Sequence, residues 1–219
     1  MLRYPCLILD HDDTSVDSTR SVNFPQFQEA LAHFRPGFSM SLEQYMLYCF
    51  DPGFYEMCRK VLHYSEEELD AHFNMWKDYH KTHHPSFFPG IPELIRKQKE
   101  LGGYVCVVSH SSDDVIRSAY AHSDVPMPDL IYGAEQPEEC RKPSPWPLKQ
   151  IMQKFNLQPS DLLVVDDMAL GETMAHSMNI AFACAGWCGL LPEIETHMRK
   201  HSDFYFSSVS SFSDFLFGS

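Results

Sequence analysis

Asp10 and Asp12 stand two apart immediately after the apolar run Leu7-Ile8-Leu9. On an extended chain residues at that spacing point the same way, so both carboxylates can face one site. One could attack as a nucleophile while the other gives a proton to a leaving oxygen. Two acids in one place also push their titrations apart, so that one holds a proton while the other is ionised. An isolated Asp-x-Asp is ordinary turn chemistry, but this one has company. Val105-Cys106-Val107-Val108 runs into Ser109, and Leu162-Leu163-Val164-Val165 runs into Asp166-Asp167. Ser109 opens His110-Ser111-Ser112-Asp113, where a hydroxyl and free N–H groups at a helix start could hold an anion or simply cap the helix. Lys142 lies in Arg141-Lys142-Pro143-Ser144-Pro145, a loop stiffened by its prolines.

What must position these groups is a set of buried strands. In an open parallel sheet, ligands bind beyond the carboxyl ends of the strands, which gathers Asp10, Asp12, Asp13, Asp166, Asp167 and Ser109 around one crevice. Such a cluster repels itself unless a cation sits within it, and hard divalent ions take oxygen ligands. From Tyr104 onward apolar runs (Val105–Val108, Leu130–Tyr132, Leu162–Val165, Ile180–Cys184, Phe204–Phe206) alternate with helical patterns. That alternation predicts an α/β fold, a Rossmann-like doubly wound parallel sheet with helices on both faces.

The first strand, Cys6–Leu9, is separated from the second by about ninety residues, too many for a bare loop. Helices are expected over 19–34, 41–49 and 52–63, broken at Pro36-Gly37 and Pro52-Gly53. A fourth starts at the Ser65/Glu68 capping box, with Leu69, Phe73, Trp76 and Tyr79 or His80 as its apolar face. Residues 17–85 thus form an all-helical cap domain, and 1–16 with 86–219 form the α/β core; crossings between them are expected near Val16–Ser18 and Pro85–Pro89. Phe34, Phe38, Met40, Tyr45, Met46, Tyr48 and Phe50 read as the cap's own core. Ile91, Leu94, Ile95 and Leu101 mark the helix after re-entry, stopped by Gly102-Gly103.

The 219 residues carry a formal charge of −13, which argues against nucleic-acid binding and against anionic membranes. No apolar run reaches the ~20 residues a bilayer span needs. Seven cysteines include Cys6, Cys106 and Cys184 inside strands, where a thiol is a small hydrophobe; with a start that lacks signal-peptide features, a reducing, cytoplasmic setting is expected. Among twelve histidines, His80, His83 and His84 share a helical spacing that could serve a transition metal, although a polar helix end explains them as well.

The order of these pieces is specific. Asp10-His11-Asp12-Asp13-Thr14 resembles the first motif of the haloacid dehalogenase superfamily, Ser109 its second, Lys142-Pro143 its third and Val165-Asp166-Asp167 its fourth. Phe88-Pro89-Gly90-Ile91-Pro92 is similar to the family's re-entry from a helical cap. The resemblance implies a Mg²⁺-dependent phosphatase. Asp10 would be phosphorylated, and Asp12 would protonate the leaving alcohol and then activate water. Ser109 and Lys142 would hold the phosphoryl oxygens, with Thr14 and His110 beside them. Mg²⁺ would bind Asp10, the Asp12 carbonyl, Asp166 and Asp167. Asp12 itself favours phosphate chemistry, since expelling a halide needs no proton donor. Asp13 replaces a frequent glycine, His11 an apolar residue and His110 a frequent Asn, and Leu170-Gly171 lack the common later acid. The expected substrate is a small phosphorylated metabolite, a sugar phosphate or a phosphoglycolate-like acid, with Arg20, Asn23, His33 and Arg35 as candidate cap contacts. The alternatives are a β-phosphoglucomutase-like phosphomutase and a non-catalytic binding protein on the same fold. Oligomeric state is left open.

Overall fold

A computed structural model describes residues 2–218. The chain runs β1 (Cys6–Leu9), β2 (Val16–Asp17), a π-helical turn (Thr19–Asn23), α1 (Phe24–Phe34), α2 (Leu42–Phe50), α3 (Phe54–Lys60), α4 (Glu66–Tyr79), β3 (Ser86–Phe87) and α5 (Ile91–Glu100). It continues through β4 (Tyr104–Val108), α6 (Asp113–His122), β5 (Leu130–Tyr132), α7 (Trp146–Phe155), β6 (Leu162–Asp166) and α8 (Ala169–His176). β7 (Ala181–Ala185), α9 (Pro192–His201), β8 (Phe204–Phe206) and α10 (Val209–Phe217) complete it.

Six strands form one parallel sheet in the order β5-β4-β1-β6-β7-β8. The period-2 alternation of β1 explains its central place. Leu7 and Leu9 pack with Ile91, Leu94, Ile95, Ile116, Tyr120 and Phe212 on one face. Cys6 and Ile8 pack with Leu148, Ile151, Met174, Ile194 and Met198 on the other. A strand covered on both faces must be apolar at every position, and all of Cys6–Leu9 is buried. From β1 the chain builds outward to β4 and β5 on one side, then returns to β6 on the other. That reversal opens a crevice at the carboxyl ends of β1 and β6, the switch point where doubly wound sheets bind ligands.

The helices α1–α4 carry a separate apolar cluster, including Phe27, Leu31, Met40, Tyr45, Met57, Leu62, Tyr64 and Leu69. Both N-caps with reciprocal pairing are present: Ser65 with Glu68, and Ser41 with Gln44. Arg35 closes this bundle from outside, holding Glu68 at 2.7 and 2.8 Å and the carbonyls of Leu62 and His63. The chain leaves and re-enters through β2 and β3, which pair antiparallel with Val16 opposite Phe87.

Three readings of the helical stretch need correction. The helix expected over 19–34 is a π turn followed by α1, and the one expected over 52–63 starts after Gly53 and ends at Lys60. Phe38 is exposed, Phe50 packs on His197, and Tyr45 and Met46 face a cavity as well as their own bundle. The histidines do not converge. α4 ends at Tyr79, so His80 turns inward to Asn23, His83 stacks on Tyr79 and His84 stacks on His122.

Candidate active site

The backbone N–H of Asp10 donates to the Val165 carbonyl at 2.9 Å, tying the tip of β1 to the tip of β6. Side-chain oxygens of Asp10, Asp166 and Asp167 consequently lie within 4.8 Å of one another, all three residues buried. Lys142 reaches in from its proline-stiffened loop: Nζ lies 2.9 Å from Asp10 Oδ1 and 2.7 Å from Asp166 Oδ2. Burial works against the lysine's charge, but the two carboxylates outweigh it and raise its pKa. One ammonium cannot balance three carboxylates. Burial, only partly offset by Lys142, lifts Asp166 to about 7, and burial together with Asp166 lifts Asp167 well above the usual carboxylate range. This acid-rich, oxygen-only donor set fits a hard divalent cation such as Mg²⁺.

Asp12 points elsewhere. Its Oδ1 accepts from Asn23 Nδ2 at 3.0 Å and its Oδ2 accepts a very short bond from Ser111 Oγ. Burial would raise its pKa, but the His11 ring and the hydroxyl and amide donors win and lower it. Asn23 is itself fixed: Trp76 Nε1 donates to its Oδ1 at 2.9 Å, and His80 Nε2 lies 3.1 Å from the same oxygen. An indole N–H can only donate, so the Asn23 amide nitrogen must face Asp12. The helical segment thereby touches the second aspartate directly.

Supporting contacts account for Asp13 and place His110, while the His11 ring is buried with no hydrogen-bond partner. Asp13 has φ 53, the left-handed region that Asp tolerates better than most side chains. Its Oδ1 accepts from Ser18 N at 3.2 Å and Thr19 N at 2.9 Å, which starts the π turn and so places Asn23. Thr14 Oγ1 donates to Asp167 Oδ1 at 3.3 Å, and Trp187 Nε1 donates to the Thr14 carbonyl at 3.0 Å. Ser109 is buried and its Oγ accepts from Ser111 N at 3.2 Å, while α6 starts later, at Asp113, with the Ser112 hydroxyl turned to Asp114. His110 Nε2 lies 3.1 Å from the Lys142 carbonyl, and burial, then the Lys142 charge, pushes its pKa down to about 4. Asp10, Asp12, Asp13, Ser109, His110, Lys142 and Asp167 line one cavity of about 380 Å³. Asn23 is in its wall, whereas Arg20, His33 and Arg35 are not. Arg20 instead donates to the Gly189 carbonyl.

Ser111 and Gly171 escaped the sequence reading. A Cβ on Gly171 would sit 2.2 Å from Asp166 Oδ2 and 2.6 Å from Asp166 Cβ. The absence of a side chain lets α8 close over the Asp166 carboxylate. Gly171→Ala is therefore expected to lower the melting temperature by several degrees, the scale of overpacking a buried site at about 1–3 kcal/mol. Thermal melts of parent and variant check it, and an unchanged midpoint would refute it.

The chain matches the profile of the haloacid dehalogenase-like hydrolases over residues 7–185. It belongs to that family. Solved structures superpose along nearly its whole length. One is a predicted phosphoglycolate phosphatase from Haemophilus somnus, 17% identical, covering 98% of this chain and 99% of its own, TM-score 0.74. Another is CbbY from Rhodobacter sphaeroides in complex with xylulose-(1,5)bisphosphate, 16% identical, covering 94% and 95%, TM-score 0.75. A haloacid dehalogenase-like family hydrolase from Streptococcus pneumoniae is 13% identical, covering 96% and 97%, TM-score 0.73. No curated protein sequence matches the chain. As a haloacid dehalogenase-like hydrolase it has the expected doubly wound α/β core with an inserted helical segment. Among its described residues no helix is long and apolar enough to cross a membrane.

Proposed function

We propose that this haloacid dehalogenase-like hydrolase is a phosphatase that cleaves phosphate monoesters through a phosphorylated Asp10. The observation that carries the reading is the bridge Asp10–Lys142–Asp166, 2.9 and 2.7 Å, with Asp12 held beside it in the same cavity. Asp10, Asp166 and Asp167, with the Asp12 carbonyl, would hold Mg²⁺, which when bound supplies charge neutralisation for the phosphoryl oxygens. Lys142 and Ser109 orient those oxygens. Asp10 attacks phosphorus as the ester P–O bond breaks, and Asp12 gives its proton to the departing alkoxide. Asp12 then takes a proton from the water that displaces Asp10 and releases inorganic phosphate. The hydrogen bonds from Asn23 and Ser111 suit the second, basic role. A phosphate dianion arriving nearby raises the Asp12 pKa towards the first. We further read residues 17–85 as a cap over a core of 1–16 and 86–219, supported by the separate apolar cluster of α1–α4.

A phosphate-release screen of metabolites with Mg²⁺ tests the reading, with Asp12→Asn as control. Expected is turnover in the parent chain and loss in the variant. Hexose 1-phosphate isomerised without free phosphate, in the presence of a bisphosphate activator, would overturn hydrolysis in favour of a mutase. No turnover of any ester would favour a binding protein.

His72 and His80, both buried within the helical segment, have pKa values pushed down to about 4 by burial. The unfolded chain binds protons at these rings from about pH 6.5 downward and the folded chain does not. Each ring therefore contributes stability at neutral pH, ~3 kcal/mol, that is lost as pH falls from about 6.5 to about 4. NMR titration should find both imidazoles neutral at pH 5.5; protonation near 6.5 would contradict it.

A further inference from the structure

Beyond the acids, the cavity wall supplied by the helical segment is mostly flat and apolar: Tyr45, Met46, Phe54, Leu69, Phe73 and Trp76. Phe73 and Trp76 stack nearly parallel, 12° between planes. The cations lining the cavity among the described residues are Lys142 and Arg59, and each already has carboxylate partners. Lys142 holds Asp10 and Asp166, and Arg59 is paired with Glu66 at 3.0 Å and Glu56 at 3.6 Å. A second anionic group on a substrate, the carboxylate of phosphoglycolate or the far phosphate of a bisphosphate, would meet no free counter-charge. A two-carbon acid would also leave most of about 380 Å³ unfilled, a volume in the range of pockets that enclose drug-sized ligands.

Within this wall are Gln26 and His72, each 2% exposed. His72 Nε2 lies 3.2 Å from Gln26 Oε1, while Gln26 Nε2 and His72 Nδ1 have no partner. Burial keeps His72 neutral at pH 7. Whichever way amide and imidazole are set, a neutral pair that shares one hydrogen bond leaves one donor and one acceptor open. Buried polar atoms left unpaired are costly, so a ligand that satisfies both, once a small rotation turns these side chains to the cavity, is favoured over one that satisfies neither.

We propose that the leaving group is an alcohol of no net charge that carries a flat heteroaromatic ring, the ring seated on the aromatic wall and its polar edge paired with Gln26 and His72. This rests on the phosphatase reading. Two sources offer the shared chemistry, a nucleoside 5′-monophosphate and a vitamin-type ester such as pyridoxal 5′-phosphate.

The test compares kcat/KM with Mg²⁺ for uridine and inosine 5′-monophosphates, pyridoxal 5′-phosphate, phenyl phosphate, glycerol phosphate and phosphoglycolate. At least one heteroaromatic ester should exceed phosphoglycolate by about 100-fold and phenyl phosphate by about tenfold. Gln26→Leu and His72→Phe should cut the heteroaromatic-to-phenyl ratio by about tenfold, mainly through KM. Fluorescence quenching on adding the free alcohols to the parent chain reads the same site without turnover and without a variant. Turnover led by phosphoglycolate, glycerol phosphate or phenyl phosphate, or a ratio that both variants leave unchanged, overturns the subsite while the phosphatase reading stands. Quenching by a heteroaromatic alcohol with no ester hydrolysed keeps the subsite and overturns the phosphatase reading. Neither hydrolysis nor quenching overturns both.

Discussion

Asp10→Asn is expected to cut phosphate release from p-nitrophenyl phosphate by at least about 10⁴-fold, the scale on which removal of a nucleophile is felt. The amide fills the same space, so packing is preserved, but it has no anionic oxygen with which to attack phosphorus. The substitution also removes one of three mutually repelling carboxylates that lie within 4.8 Å. The melting temperature should hold or rise while activity disappears, a combination that a merely structural aspartate would not give. Steady-state rates and thermal melts of parent and variant decide it. Retention of more than a few per cent of the activity would mean that some other group attacks phosphorus.

Lys142→Met is expected to damage both activity and stability. Methionine replaces the buried stem but leaves Asp10 and Asp166 facing each other without the ammonium now 2.9 and 2.7 Å away. Breaking a buried ion pair from one side costs about 3–5 kcal/mol. The pH dependence has a definite sign. Asp166, already lifted to about 7 by burial against the pull of Lys142, must rise further when that pull is lost. A carboxyl whose folded pKa exceeds its unfolded one binds protons on folding between the two, so stability falls as pH climbs from about 4 through 7 and above. The deficit of Lys142→Met against the parent should be larger at pH 8 than at pH 5 and should shrink on adding Mg²⁺. Denaturant melts at the two pH values measure it; a pH-independent deficit would point to lost packing alone.

Much of this was legible in the chain. Every strand of the sheet lies within a residue or so of its apolar run, most plainly β1 and β6, where a strand buried on both faces has no polar position among its apolar residues to blur its ends. Convergence of Asp10 with Asp166 follows from the same fact, since adjacent parallel strands end side by side. The helical segment was harder. Its residues serve two masters: Tyr45 packs on Phe27 and also faces the cavity, and hydrophobic periodicity cannot tell one use from the other. The π turn at Thr19–Asn23 shifts the helical register, so Asn23 turns to Asp12 while Arg20 turns away. Arg35 looks like a substrate contact until the Ser65/Glu68 box claims it. Gly171 stood out only as a missing acid, whereas its role is the space a neighbour's carboxylate occupies.

Asp17 and Ser86 lie opposite each other in the two-stranded ribbon, so the polypeptide departs and returns through a single doorway. For the sheet, the long excursion between them has the footprint of a tight hairpin. Enlarging or replacing such an excursion adds only about 0.6 kcal/mol of closure entropy per doubling of its length. Mutation can therefore vary that excursion at little cost to the sheet, so long as Asn23 keeps its hydrogen bond to Asp12.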